Sequence, residues 1–199
     1  MTLRKHIGIL GGSFNPVHIG HTLLAEYLVQ FTDIDEVWLM LSPQNPLKEV
    51  AKSDRASDFD RMAMLEIAAR NSRGLKVCGI ELTMPRPSYT IDSLSRLASL
   101  HPDCDFSLII GSDNWQIFDK WKEHERLISD FHPIIYPRPD YPVDKDSLPC
   151  GVRMTDAPTF LISSTFIRSA IAGGHDMTNF LPWGVYEYID HYKLYTGTE

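Results

Sequence analysis

The stretch Ile7-Gly-Ile-Leu-Gly-Gly-Ser-Phe-Asn-Pro-Val-His-Ile-Gly-His21 decides the fold. Ile7, Ile9 and Leu10 form a short apolar run ending at Gly11-Gly12, which reads as a buried strand meeting a tight turn. From His21 onward, Leu24, Ala25 and Leu28 recur at the spacing of one helical face, so a helix follows. Two glycines after a strand let the backbone come close to a ligand and expose its N–H groups. The helix starting near His18 points its N-terminal dipole at the same place and favours an anion there. If the first helical turn includes both His18 and His21, the two share one face. Backbone donors, a positive dipole and two imidazoles would then surround one phosphate group.

Outward from this stretch, strand and helix alternate. Val37 to Leu41 is a second continuous apolar run, closed by Ser42-Pro43. Ser42 to Arg55, with prolines at 43 and 46, reads as a long loop, and whether it closes over a substrate stays open. Ser57 is placed to cap a helix with Asp58 and Asp60 in its first turn and Met62, Leu65 and Ala69 as its apolar stripe. Strands are predicted over Lys76–Leu82, Phe106–Ile110, Phe131–Tyr136 and Thr159–Ile162. Helices are predicted over Thr90–Leu100, Ser164–Ala172 (closed by Gly173-Gly174) and Val185–Tyr192, with a broken helix from Trp115 to Ile128. Pro137 to Pro149 reads as an exposed loop. There is no repeat and no linker, so one domain is expected over 1–199, with its core at 5–195. The pattern is that of an α/β protein with a Rossmann-like, doubly wound parallel sheet. In such sheets ligands sit beyond the carboxyl ends of the strands, where both Gly11-Gly12 and Gly111-Ser112-Asp113 fall.

Composition narrows the partners. The 199 residues carry Lys+Arg 19 against Asp+Glu 26, a net charge of −7, which disfavours broad binding to nucleic acid but not to a small anion. Cys78, Cys104 and Cys150 are widely spaced and form no C-x-x-C pair, so neither a disulfide framework nor a zinc site is expected. The apolar stretch near the N-terminus stops at Gly11-Gly12, too soon for a signal peptide. Apolar runs such as Val37–Leu41 fall far below the roughly 20 residues that span a bilayer. A cytoplasmic protein without membrane partners is expected.

A second segment, Ile162-Ser-Ser-Thr-Phe-Ile-Arg168, lies far downstream at the start of a predicted helix. Serines there bring hydroxyls and free N–H groups to an anion. Arg168, one turn in, could add a flat, permanently charged fork suited to phosphate.

The Gly11–His21 segment resembles the G-x-F-N/D-P-x-H-x-G-H turn of the nucleotidyltransferase superfamily, and Ile162–Arg168 resembles that superfamily's second signature. His18-Ile-Gly-His21 also matches the tetrapeptide of class I aminoacyl-tRNA synthetases. Four further segments resemble the nicotinate-nucleotide adenylyltransferases: Pro43-Gln-Asn-Pro-Leu-Lys48, Ser88-Tyr-Thr-Ile-Asp-Ser-Leu94, Ile109-Ile-Gly-Ser-Asp-Asn114 with Lys120-Trp121, and the ending Phe180 to Ile189. Ser93 stands where that family's segment has a second Thr.

The resemblance implies adenylyl transfer from ATP to the 5′-phosphate of nicotinate mononucleotide, with Mg²⁺ carried on the ATP phosphates and no metal held by the protein. It implies His18, His21, Lys48 and Arg168 as catalytic groups. Gly11, Gly12, Ser13, Phe14, Gly111, Asp113, Ile162, Ser163 and Ser164 would bind ATP and its phosphates. Thr90 and Trp121 would bind the mononucleotide, with Trp115 a rival for stacking on the pyridine ring. Open alternatives are another small adenylyl- or cytidylyltransferase, such as one acting on pantetheine phosphate, and a non-catalytic nucleotide-binding module. Nicotinate against nicotinamide also stays open, and a homo-oligomer is compatible with the aromatic C-terminus.

Overall fold

In the computed structural model, which describes residues 4–43, 56–70 and 72–197, the strongest apolar runs line up as one parallel sheet. Its strands are β1 (Lys5–Gly12), β2 (Glu36–Leu41), β3 (Leu75–Cys78), β4 (Cys104–Gly111), β5 (Ile134–Tyr136) and β6 (Arg153–Met154). Their order across the sheet is β3-β2-β1-β4-β5-β6, and each neighbouring pair is parallel. The helices are α1 (Ile19–Phe31), α2 (Asp58–Ala69), α3 (Thr90–Leu100), α4 (Ser112–Trp115), α5 (His124–Phe131), α6 (Ser164–Ala172) and α7 (Val185–His191). The chain reverses its direction of travel between β1 and β4, which are neighbours, so a crevice opens beyond their carboxyl ends.

Alternation along the strands sorts side chains into two cores. Leu10, Leu39 and Leu41 pack on one face with Leu24 and Leu28 of α1, Met64 and Leu65 of α2, Ile167 of α6 and Ile189 of α7. Ile7, Ile9, Met40, Leu108 and Ile110 pack on the other with Ile91, Leu94 and Leu97 of α3 and Phe131 of α5. Leu28 is fully buried; truncating such a leucine to alanine costs about 2–5 kcal/mol. Among the described residues no helix is long and apolar enough to cross a membrane.

Several boundaries differ from the sequence reading. Gly11 and Gly12 are still strand, paired with Met40 and Leu41, and the turn comes later, at Phe14 with φ +43°. The strand expected over Lys76–Leu82 stops at Cys78, and Ile80–Thr83 is a 3₁₀ turn with Glu81 buried in it. Phe131 ends α5 instead of opening a strand, because His132 turns into the left-handed region at φ +37°. Thr159–Ile162 forms no strand; the edge position is taken by Arg153–Met154. The buried face of α2 is Arg61, Met64, Leu65 and Ala68; it keeps Leu65 of the expected stripe and has Arg61 and Ala68 in place of Met62 and Ala69. An arginine lies on that face because its guanidinium has partners there.

Candidate active site

The turn after β1 is shaped by close packing more than by glycine freedom. A Cβ on Gly12 would lie 3.0 Å from the Phe14 ring, which is itself buried and meets His21 edge-on at 5.0 Å. Three carbonyls of the turn are held by side chains from distant elements. Arg61 Nη1 of α2 donates to the Ser13 carbonyl and, at 3.0 Å, to that of Ser42. Arg168 Nη1 of α6 donates to the Asn15 carbonyl at 2.9 Å, and Ser164 Oγ to that of Pro16 at 2.9 Å. Tyr195 Oη adds a 2.8 Å bond to Asn15 Oδ1.

His18 caps α1 and His21 stands in its first turn, and their rings stack with centroids 3.7 Å apart. The His18 amide donates to His21 Nδ1 at 3.2 Å. That nitrogen must therefore accept, which leaves the His21 ring proton on Nε2. Gly20 makes room for the pair, since a Cβ there would come within 3.1 Å of the His18 ring. Burial, then the positive charge of Arg138, pulls the His18 pKa down to about 4. His21 is pushed well below its ordinary value by burial, then by His18 and Arg138. Both imidazoles are neutral at pH 7 and act as polar donors, not as cations.

Beyond the histidines opens a cleft of about 480 Å³. One wall is the β1 turn and the N-terminus of α6, where Ser163 caps the helix by accepting from the Phe166 amide at 3.1 Å. The facing wall rises from β4, β5 and α3. A Cβ on Gly111 would lie 2.2 Å from Asp113 Oδ1, so the glycine is what lets that carboxylate fold back over the strand end. Asp113 Oδ1 faces Arg138 Nε at 3.7 Å. Arg138 also donates from Nη2 to Tyr136 Oη at 3.1 Å, and its backbone amide to the buried Ser112 Oγ at 2.9 Å. Glu81 accepts from Ser88 Oγ at 3.0 Å and Ser93 Oγ at 2.8 Å. Those two bonds fix the segment that presents Thr90 to the cleft. Among the described residues no three His, Cys, Asp or Glu side chains are grouped to hold a metal ion.

Comparison with known proteins places this geometry. Residues 9–170 match the family described as cytidylyltransferase-like. The chain belongs to that family. A probable nicotinate-nucleotide adenylyltransferase of Bacteroides fragilis is 48% identical over 182 residues, covering 92% of this chain and 90% of its own. A protein of the same name from Bacteroides thetaiotaomicron is 48% identical over 185 residues, covering 93% and 91%. Among solved structures, a Plasmodium falciparum nicotinic acid mononucleotide adenylyltransferase complexed with NaAD superposes with TM-score 0.76 at 24% identity, over 96% of this chain and 97% of that one. The superposition bears out the Rossmann-like fold.

In this cytidylyltransferase-like chain the cleft brings together most residues named from the sequence. Gly11, Gly12, Ser13, Phe14, His18, His21, Thr90, Gly111, Asp113, Trp121, Ile162, Ser163 and Ser164 all line it. Trp121 lies in the wall, whereas Trp115 stacks on Phe118 at 5.0 Å and does not line the cleft. Arg168 is not in the lining; its Nη1 faces the Asn15 carbonyl. Lys48 lies outside the described residues. Arg138, Glu81 and Arg61 escaped the sequence reading. Arg138 had a usable signal, since it follows the apolar run of β5 and so stands at the carboxyl end of a strand. Glu81 and Arg61 were charges inside apolar patterns, which marks a buried, partnered group.

Proposed function

We infer that this chain transfers the adenylyl group of ATP to the 5′-phosphate of nicotinate mononucleotide, giving nicotinate adenine dinucleotide and pyrophosphate, a step of NAD biosynthesis. The observation that carries the reading is the convergence on one cleft of two stacked imidazoles and the N-termini of α1 and α6. Adenylyltransferases on nicotinate mononucleotide are what its relatives, at 48% identity over nearly all of the chain, are named for.

The attacking phosphate oxygen is already ionised near neutral pH, so no strong base is needed. The barrier lies in bringing anions together and in the charge that gathers on the α-phosphoryl oxygens, which makes positioning and electrostatics the main contributions. His21, with its proton on Nε2, donates to one of those oxygens, and His18 lies stacked beside it. The amides of the β1 turn and the hydroxyls of Ser163 and Ser164 supply further uncharged donors, and Arg138 supplies a positive charge facing them. We assign Lys48 to the β- and γ-phosphates, and Arg168, whose Nη1 holds the Asn15 carbonyl outside the lining, to bracing the turn that meets them. Trp121 covers the pyridine ring, and the backbone at Thr90 meets its substituent.

Nucleotidyl transfer of this family goes with a divalent cation. The cleft's carboxylates suit it poorly as protein ligands, because Glu81 is engaged by two serines and Asp113 faces Arg138. The cation, Mg²⁺, would ride on the ATP phosphates, keep several waters and neutralise the leaving pyrophosphate.

The test is pyrophosphate release from ATP with each of nicotinate mononucleotide, nicotinamide mononucleotide and pantetheine phosphate. Release should be fastest with the first, with the dinucleotide identified by mass. Preference for pantetheine phosphate, or ATP binding with no release for any acceptor, would overturn the assignment.

A further inference from the structure

Among the described residues Arg61 is the largest of the fully buried side chains, and it is charged. On α2 it sits outside the cleft lining, yet its guanidinium reaches the exits of two neighbouring strands. Nη1 donates to the Ser13 carbonyl after β1 and the Ser42 carbonyl after β2, while Nη2 pairs with Asp58. Asp58 is tied in turn to Arg86 at 2.8 Å.

The consequence follows from the peptide plane. The Ser13 carbonyl and the Phe14 N–H belong to one peptide unit, and in a trans peptide the two point in opposite directions. A guanidinium that grips the carbonyl from the α2 side therefore aims the Phe14 N–H away from α2, on the side where Ser13 and Phe14 line the cleft. No acceptor for the Phe14 N–H is found among the described residues. Without that grip a flip of the plane would be favoured, because it would carry Phe14 out of φ +43°, a region that L residues seldom occupy. A flipped plane would point a carbonyl oxygen at the reacting phosphates.

We propose that Arg61 is a positioning residue of the transfer reaction: it acts through the Ser13–Phe14 peptide to hold a backbone N–H toward the α-phosphoryl oxygens. The proposal rests on the functional reading above. Lysine keeps the charge but has no flat fork with which to hold two carbonyls and a carboxylate together.

The experiment compares Arg61→Lys with Asp58→Asn, which loosens the same guanidinium at its other end and leaves both carbonyl bonds in place. Both variants should lower Tm. Arg61→Lys should lower kcat about 10- to 100-fold, as loss of part of an oxyanion donor does, with KM for both nucleotides changed less than about threefold. Asp58→Asn should keep kcat within about threefold. A purely structural Arg61 predicts falls in Tm for both variants and an unchanged kcat for each folded protein, and that result overturns the proposal.

A second readout needs no turnover. The ¹H–¹⁵N resonance of the Phe14 amide should shift downfield when an unhydrolysable ATP analogue is added to the wild-type protein, and should shift far less in Arg61→Lys. If the wild-type resonance does not move while other cleft amides do, the proposal fails even should Arg61→Lys not fold. If the resonance moves but no dinucleotide forms from nicotinate mononucleotide, the functional reading fails and the aim of the peptide stands.

Discussion

The cleft has two walls, built in different ways. The wall after β1 is a single run of chain, Gly11 to His21, whose carbonyls are fastened from outside by Arg61, Arg168 and Ser164. The wall opposite is assembled from pieces: Asp113 at the end of β4, Trp121 beyond it, Arg138 after β5 and Thr90 at the start of α3. The first wall presents neutral donors, since burial holds both imidazoles uncharged. The second presents the guanidinium of Arg138. Neutral donors must be aimed, because a hydrogen bond weakens steeply with angle; a charge acts over distance and tolerates a looser frame. The division of labour matches the way each wall is braced.

The largest effect should come from the aimed wall. His21→Ala removes the Nε2 proton and should lower kcat by about 10²–10³, the loss seen when one donor to a developing oxyanion is deleted. Steady-state kinetics with ATP and nicotinate mononucleotide checks it, and near-normal turnover in the folded variant would take the reaction away from this wall. Arg138→Gln tests the other wall. It should lower kcat/KM for ATP about 10- to 100-fold, with a shallower dependence on salt than wild type. Burial does most to hold both histidines down and the charge removed here adds to it, so the His18 pKa followed by NMR should rise only modestly above about 4.

How much of each wall the sequence discloses follows from how it is built. The β1 wall is local: strand, turn, histidines and helix lie within fifteen residues, so spacing alone brings them together. Ser163 and Ser164 are likewise legible from the start of the helix that Ser163 caps. The second wall depends on the sheet order, which sets β4 and β5 side by side and brings Arg138 toward histidines more than a hundred residues away. A lone arginine among prolines carries no periodicity, and its mark is its place just after the apolar run of β5. Arg61 failed for a different reason: a stripe of apolar residues was sought on α2, and its buried face opens with a charge held by polar partners. The outer strand was misplaced because β6 is only two residues long, Arg153–Met154, too short for any alternation to register.

The neutral state of the first wall also sets a pH dependence. A buried imidazole with its pKa lowered binds its proton less readily in the folded protein than in the unfolded chain. Stability from this source is therefore complete above pH 6.5 and is lost as pH falls toward 4. For His18 the loss is on the order of 3 kcal/mol, and His21 adds to it in the same direction. Chemical denaturation between pH 7 and pH 4 measures this, and His18→Gln should flatten the curve. An anion bound in the cleft opposes the loss, because phosphate favours the protonated ring.

Trp121 should show the smallest of these effects, and it separates the walls most cleanly. Its ring lies in the assembled wall, tilted against Phe118 at 5.3 Å. Stacking on a flat heterocycle contributes about 1–3 kcal/mol by alanine substitution. Trp121→Ala should therefore raise KM for nicotinate mononucleotide about tenfold while leaving kcat and the KM for ATP within about threefold. Trp115→Ala, which cuts a contact with Phe118 behind the cleft, should lower Tm without selecting between the nucleotides. If Trp115→Ala gave the mononucleotide-specific effect instead, the pyridine ring would have to lie on the other side of Phe118, and the second wall would need to be redrawn around it.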